Sequence, residues 1–237
     1  ITFSNVFAHI ENLRELIKNL KKLLSEKTII IIENHYLGSV IEKRQFDTFY
    51  HEHPRTYSLK SFTEISKLLG VNLISYKFPK RYGGNIRVIF SNNFTKKNNL
   101  VKIIKREKLY FKKIKKLSND IEIWKNKKLN IINALVKKFG PLPAKAFPGR
   151  AAILMKILNL NKQQVSAIYE RDKSIKIGNY APGTNIPIIS DKNLKKIDKN
   201  MPIINFAWHI SKEIKVYLKK NFIKNKVLDI LSQQDFK

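Results

Sequence analysis

Four consecutive titratable side chains, Tyr50-His51-Glu52-His53, form the segment of this 237-residue sequence with the clearest capacity for chemistry. A histidine has an ordinary pKa of about 6.5, so it can take up a proton at neutral pH, and a neighbouring carboxylate can orient it. In an extended loop alternate side chains share a side, which would put Tyr50 with Glu52 and His51 with His53. Spacing alone leaves a second interpretation open, in which this is a surface loop whose histidines bind nothing.

The elements around this segment predict an α/β sheet with the segment at its ligand-binding edge. Apolar residues at helical spacing over 9–24 predict a helix, and the β-branched run 28–32 predicts a strand buried on both faces. A helix followed by a buried strand is half of a βαβ unit, and ligands bind at the loops after such strands, here residues 33–58. Three further elements are predicted before residue 95: a helix from a Ser61-Phe62-Thr63-Glu64 capping box to Gly70, and strands at 71–78 and 86–90.

A lysine-rich pattern of helical period runs from Asn98 to Phe139 and is ended by Gly140-Pro141. It predicts one long helix, or two with a break near Ser118-Asn119. The later elements are predicted as helices at 151–160 and 210–222, strands at 165–169, 202–206 and 227–231, and a Gly/Pro loop at 178–188. The expected organisation is a first sheet domain (1–95), a helical connector (96–140) and a second α/β domain (141–237).

The formal net charge of +29 suggests nucleic-acid binding, but the distribution of the basic residues argues against it. Only 8 of the 47 basic residues are arginine, the residue that binds phosphates and bases in a bidentate manner. The lysines are spread along the chain, which predicts a solvated surface, whereas polyanion-binding proteins usually concentrate basic residues in blocks. Polyanion binding remains the alternative, and a salt titration tests it because phosphate neutralisation makes affinity fall steeply with salt.

Other classes of site have little support in the composition. The absence of cysteine excludes disulfides and thiolate metal sites and suits a reducing cytoplasm. The five histidines lack the H-E-x-x-H spacing of a zinc-binding helix, so no metal is predicted. The longest apolar runs fall far below the roughly 18 residues of a membrane-spanning helix, so no membrane partner is predicted either. The oligomeric state is left open.

Four motifs in a fixed order carry a resemblance to a known family. They are Ser4-Asn5-Val6-Phe7-Ala8-His9-Ile10, Gln45-Phe46-Asp47-Thr48-Phe49-Tyr50-His51-Glu52-His53 with Tyr57-Ser58-Leu59, Gly83-Gly84-Asn85-Ile86-Arg87-Val88, and Asn179-Tyr180-Ala181-Pro182-Gly183-Thr184-Asn185-Ile186-Pro187-Ile188. Together they resemble the class I S-adenosylmethionine-dependent C-methyltransferases that act on nucleotide-linked 4-keto-deoxysugars. The resemblance covers most of the chain and implies a truncated Rossmann-like methyltransferase sheet, a long helical connector and a second, Rossmann-like α/β domain.

By this resemblance His53 is the base that removes a proton from the carbon beside the sugar ketone, and the enolate then attacks the methyl group of S-adenosylmethionine. Tyr50 and His9 match family positions near the reacting centre, and Glu52 would orient the sugar or tune His53. The other implied contacts are Ser4 and Asn5 with the cofactor, and His51, Gly84, Asn85, Arg87, Arg150, Tyr180 and Thr184 with the sugar nucleotide. Simpler roles stay open: a helix cap for His9, packing for Tyr50, an exposed hairpin position for Arg87 and a turn for 182–184.

The sequence departs from the family pattern near the expected substrate. Pro54-Arg55-Thr56 stands where apolar and aromatic residues are expected, and Gly149-Arg150-Ala151-Ala152 stands in place of an Ala-Lys-Gly-Asn stretch. No G-x-G-x-x-G stretch occurs. The resemblance implies that the glycine-rich cofactor loop, and the cysteine-bearing zinc module typical of the family, lie upstream of Ile1. We therefore expect a fragment that does not methylate alone. A non-catalytic sugar-nucleotide-binding or scaffolding domain is the third interpretation.

Overall fold

The computed structural model describes residues 1–93 and 100–236 and divides the chain into two compact units. The N-terminal unit is Ile1–Ser118 and the C-terminal unit is Asn119–Lys237, so the division falls within a long helix. The domain boundary predicted at residue 95 and the helix start predicted at Asn98 lie outside the described residues. Each unit contains its own sheet, and the predicted α/β class is confirmed.

The N-terminal unit is built on a four-stranded mixed sheet with the order β1-β2-β4-β3. Its strands are β1 (Thr2–Ser4), β2 (Ile29–His35), β3 (Asn72–Lys77) and β4 (Asn85–Ser91). Its helices are α1 (Leu13–Lys22), α2 (Leu37–Glu42), α3 (Leu59–Leu69), α4 (Val101–Glu107) and the first part of α5 (Tyr110–Phe139). β1 and β2 are parallel and joined through α1, which confirms the predicted βαβ unit, while β4 is antiparallel to both of its neighbours.

The core of this unit lies where the sheet meets the apolar sides of its helices. Ile30 and Ile32 of β2 are buried with residues of β4, and helices α1 and α3 contribute Leu20 and Phe62. The prediction that this strand is buried on both faces is wrong, because Ile29 is exposed and Ile31 is only half-buried. Ile29 starts the strand, and its side chain lies on the opposite face from Ile30.

Helix α3 begins three residues earlier than its predicted capping box. Ser58 is the cap, and the side chains of Ser58 and Ser61 accept hydrogen bonds from each other's backbone N–H at 3.1 and 3.3 Å. Glu64, predicted to close the box, instead forms a surface ion pair with Lys67 at 3.0 Å. The predicted end at Gly70 is confirmed, and this residue has the positive φ of 75° that a helix C-terminus favours.

A carboxylate from another helix completes the N-terminus of α3. Glu107 of α4 accepts the backbone N–H groups of Leu59 and Lys60 at 2.8 and 2.9 Å, and the Tyr36 hydroxyl at 3.0 Å. Backbone donors at a helix start otherwise have no partner within the helix, and a negative charge there is favourable. This contact links α2, α3 and α4 through one buried side chain.

We therefore expect Glu107→Ala to lower the free energy of unfolding by about 2 kcal/mol, because it leaves buried donors without an acceptor. Glu64→Ala is the matched control, since it removes a glutamate from the surface of α3, the helix that Glu107 caps, and should cost no more than about 0.5 kcal/mol. Urea denaturation followed by circular dichroism measures both. Equal losses in the two variants would contradict the capping role.

The C-terminal unit contains a five-stranded parallel sheet with the order β7-β6-β5-β8-β9. Its strands are β5 (Leu142–Lys145), β6 (Val165–Glu170), β7 (Ile188–Ser190), β8 (Ile203–Asn205) and β9 (Val227–Asp229). Its helices are the rest of α5, α6 (Ala151–Ile157) and α7 (Ser211–Lys220). In chain order the strands lie 3-2-1-4-5, which is the order of a Rossmann-type sheet whose direction of winding reverses between β5 and β8.

The long lysine-rich segment forms two helices, but the break differs from the predicted one. It lies at Lys108 and Leu109, between α4 and α5, and Ser118-Asn119 lies inside α5. Within the C-terminal unit, the fully buried Trp124 of α5 donates its indole N–H to the Ile230 carbonyl at 3.0 Å. Among the described residues, we find no helix with the length and apolar character to cross a membrane.

Candidate functional site

Residues Tyr50 to His53 form a turn, closed by a hydrogen bond from the His53 backbone N–H to the Tyr50 carbonyl at 2.8 Å. The predicted extended backbone is therefore wrong, although Tyr50 and Glu52 do lie together as predicted. The Tyr50 hydroxyl donates to Glu52 Oε2 at 3.2 Å, and the same ring lies 4.6 Å from the His53 ring between centroids. The turn therefore brings the side chains of Glu52 and His53 into contact with that of Tyr50.

A buried polar stretch anchors this turn to the N-terminal unit. Gln45, Asp47 and Thr48 are each at most 3% exposed, and 46–48 form a short 3₁₀ turn. The Gln45 backbone N–H donates to the Val40 carbonyl at 2.8 Å, and its side-chain amide donates to the Gly83 carbonyl at 2.9 Å. Because buried polar groups need partners, these bonds fix the position of the segment before the turn.

His53 is half-buried and its tautomer follows from its hydrogen-bond partner. Its Nδ1 lies 3.1 Å from the Thr48 carbonyl oxygen, which can only accept. Nδ1 is therefore the protonated nitrogen of the neutral ring, and Nε2 carries the lone pair that can take up a proton. The backbone carbonyl of a buried residue thus orients the imidazole as a base.

His9 meets this imidazole from a different part of the chain. It ends the short turn Phe7–His9 after β1, in which Phe7 is fully buried and His9 is exposed. The rings of His9 and His53 lie 4.7 Å apart between centroids at 70°, an edge-to-face arrangement. The structure therefore brings together three predicted catalytic side chains, His9, Tyr50 and His53, while Glu52 joins them through Tyr50. His51 is exposed, with its ring 5.8 Å from the Tyr50 ring.

The predicted cofactor residues Ser4 and Asn5 lie at the carboxyl end of β1. Ser4 is exposed, and Asn5 has a positive φ of 54°. The amide of the buried Asn85, at the start of β4, donates to Asn5 Oδ1 and to Glu33 Oε1, both at 3.0 Å. Asn5 and Asn85 therefore belong to one hydrogen-bonded cluster around Glu33. Gly84 directly precedes Asn85 in the chain.

Glu33 holds two arginines, one of which was predicted to bind the substrate. Its carboxylate accepts Arg81 Nε at 2.5 Å and Arg87 Nε at 2.7 Å, and Arg87 Nη2 lies 2.6 Å from it. Burial raises the pKa of the Glu33 carboxyl, but the hydrogen bonds from its partners outweigh that effect and lower the pKa to about 2. Arg87 is thus oriented by Glu33, and its half-exposed side chain remains at the surface.

The remaining predicted contacts lie in the C-terminal unit. Arg150 precedes α6, and its guanidinium carbon lies 5.3 Å from the centre of the Trp208 ring. Tyr180 is 63% exposed at the start of the loop that leads to β7. The Thr184 hydroxyl donates to the Ala181 carbonyl at 2.8 Å, so it stabilises the turn expected for this Gly/Pro segment.

The sequence-based reasoning missed the supporting residues of the N-terminal cluster. In the sequence Thr48 stands only within a longer motif, and Glu33 stands only at the start of a polar segment. A charged residue that ends the apolar run 29–32 was the available signal, because a buried carboxylate requires cationic partners. Arg81 carried no such signal, since the residue that it pairs with is distant in the sequence.

Residues 80–227, more than half of the chain, match the protein family described as C-methyltransferase C-terminal domain. The chain is also similar to the C-methyltransferase NovU of Streptomyces niveus, with 31% identity over 85 residues. That match covers 36% of this chain and 20% of the relative, so the chain corresponds to a minor part of that protein's length. The resemblance that the motifs carry is confirmed, and the chain belongs to the C-methyltransferase family through its C-terminal domain.

Proposed function

We propose that the protein is an S-adenosylmethionine-dependent C-methyltransferase acting on a nucleotide-linked keto-sugar, with His53 as the base. One observation carries the proposal: the oriented imidazole of His53 lies against Tyr50 and His9 in a member of the C-methyltransferase family. The name of the Streptomyces relative supports methylation at carbon. The sugar nucleotide rests on the motif resemblance given above.

The chemistry begins at the carbon beside the ketone, whose C–H bond is a weak acid. His53 Nε2 takes the proton, and the electron pair left behind is delocalised onto the ketone oxygen as an enolate. A hydrogen-bond donor at that oxygen lowers the energy of the developing charge. The Tyr50 hydroxyl and the His9 ring are the proposed donors, because both rings lie within 5 Å of the His53 ring between centroids. The enolate carbon would then bond to a methyl group whose bond to the donor's sulfonium sulfur breaks, so that the donor leaves as a neutral thioether.

Ser4 and Asn5 are the residues of this chain proposed to contact the methyl donor. Ser4 ends β1 and Asn5 follows it, at the carboxyl end of a parallel strand pair, the edge at which α/β sheets bind ligands. The hydroxyl and amide there fit a polar cofactor, and Asn85 holds the Asn5 side chain in place. When bound, S-adenosylmethionine supplies the electrophilic methyl group. In this proposal the N-terminal sheet is the later part of a methyltransferase sheet.

Candidate contacts to the sugar nucleotide are proposed separately for each unit. His51, Gly84, Asn85 and Arg87 are its candidates in the N-terminal unit. Arg150, Tyr180 and Thr184 are its candidates in the C-terminal unit, where Arg150 lies between β5 and α6 at the carboxyl edge of the parallel sheet. An arginine in this place can pair with a diphosphate.

Methyl-labelled S-adenosylmethionine and a nucleotide-linked 4-keto-deoxysugar test the proposal with the intact protein that contains residues 1–237. We expect the label in the sugar, bound to a carbon next to the former ketone, as carbon NMR of the product would show. The same nucleotide sugar with an alcohol in place of the ketone is the control and should take up no label, because its C–H bonds are not acidified. Label on oxygen, or equal labelling of both sugars, would contradict the proposal.

A further inference from the structure

Arg55, two residues after His53, is a charged residue to which the proposed chemistry gives no role. It also belongs to the segment that departs from the family pattern. In the structure its Nη1 donates to the backbone carbonyl of Ile10 at 2.6 Å, and the bond is part-buried. Ile10 directly follows His9. The Arg55 side chain therefore links the segment that contains His53 to the segment that contains His9.

The Ile10 carbonyl lies at the end of the 3₁₀ turn 7–9, where backbone carbonyls lack partners within the turn. An arginine is well suited to this place, because a cation near the C-terminal end of a helical turn satisfies carbonyls and interacts favourably with their dipoles. Its charge-assisted bond is short and directional. The bond therefore restrains the backbone on the C-terminal side of His9.

Two further hydrogen bonds restrain the other side of His9. Asn34 of β2 accepts the Ala8 backbone N–H at 3.2 Å in a buried contact, and the Tyr57 hydroxyl lies 3.4 Å from the Phe7 carbonyl. Burial raises the pKa of Tyr57 to about 12, with Arg55 acting in the opposite direction, so the hydroxyl keeps its proton and can donate. These bonds, the bond from Arg55 Nη1 and the bond from the His9 backbone N–H to the Val6 carbonyl at 2.9 Å hold the backbone on both sides of His9.

We propose that Arg55 is a positioning residue that sets the distance between the His9 and His53 rings. This inference rests on the proposed function for its catalytic meaning, but the geometry can be tested without it. Both ends of the link lie close to an imidazole: Arg55 is two residues from His53, and Ile10 is one residue from His9. Loss of the guanidinium removes the hydrogen bond on the C-terminal side of His9 and leaves the bond from Tyr57 to Phe7 on its other side.

Proton NMR of the 237-residue chain tests this directly. The five histidines give few ring signals, and His9→Gln and His53→Asn variants assign the two that matter. We expect a nuclear Overhauser cross-peak between the two rings in the wild type, its loss in Arg55→Met and its partial recovery in Arg55→Lys, which keeps one donor. Arg14→Met, an exposed arginine of α1, is the matched control and should keep the cross-peak. A cross-peak of full strength in Arg55→Met, even with a lowered melting temperature, would overturn the proposal.

Turnover of the intact protein separates this inference from the proposed function. A small misplacement of reacting groups can cost about 10²-fold, so Arg55→Met should lower kcat by that order and change KM little. A wild-type protein that binds the sugar nucleotide and never methylates it would refute the function and leave the NMR result standing. A lost cross-peak with wild-type kcat would instead refute the catalytic meaning of Arg55.

Discussion

Replacing His53 by asparagine should abolish methyl transfer by the intact protein while leaving its affinity for the sugar nucleotide nearly unchanged. Asparagine keeps a polar group of similar reach near the Thr48 carbonyl but has no nitrogen that can take up a proton at neutral pH. A positioned general base contributes about 10²–10⁴-fold, so kcat should fall by at least that much. Steady-state kinetics give kcat, and calorimetric titration with the sugar nucleotide gives the affinity.

Hydrogen exchange in deuterated water isolates the proton-transfer step from the methyl transfer. If His53 is the base, the wild-type protein should exchange the C–H beside the sugar ketone even without a methyl donor, and His53→Asn should not. His35→Gln is the control, because the glutamine amide can still donate to the Tyr82 carbonyl that His35 Nε2 contacts at 2.6 Å. Exchange at the wild-type rate in His53→Asn would contradict the assignment of the base.

Local patterns in the sequence predict the elements that surround this site well. Helix α1 and strand β2 follow from a helical period and a β-branched run, and Gly70 marks the end of α3, where its backbone adopts positive φ. Strands β3 and β4 follow in the same way, within two residues of their predicted bounds. In each case the signal and the structure that it specifies lie within about ten residues of each other.

Features that depend on distant residues could not be predicted in this way. Strand β5 was not predicted, because it contains Pro143 and proline is disfavoured inside a central strand. The structure accommodates this proline at a register shift between Leu142 and Pro143. The cap of α3 depends on Glu107, which lies 48 positions after Leu59 and 47 positions after Lys60 in the sequence. The His9 to His53 contact has the same character: the motifs placed both residues in the site, but only the tertiary fold sets the distance between them.

The pairing of Glu33 makes a second strong prediction, on the stability of the fold. The pKa of this carboxyl is about 2 in the folded protein against an ordinary value of 4.5. Because the folded pKa is the lower one, the stabilisation is fully present above pH 4.5 and is lost as the pH falls towards 2. A shift of this size corresponds to about 3 kcal/mol.

Glu33→Gln should therefore lower the free energy of unfolding at neutral pH by about 3 kcal/mol and make its decline with acid shallower than in the wild type. A glutamine can still accept from Asn85, so the loss isolates the charge that Arg81 and Arg87 share. Urea denaturation at a series of pH values from neutral to acid measures it, with the exposed Glu11→Gln as the control that should follow the wild-type curve. Parallel curves for Glu33→Gln and wild type would mean that the two arginines do not hold this carboxylate ionised, and the cluster that orients Asn5 and Arg87 would then lack its electrostatic basis.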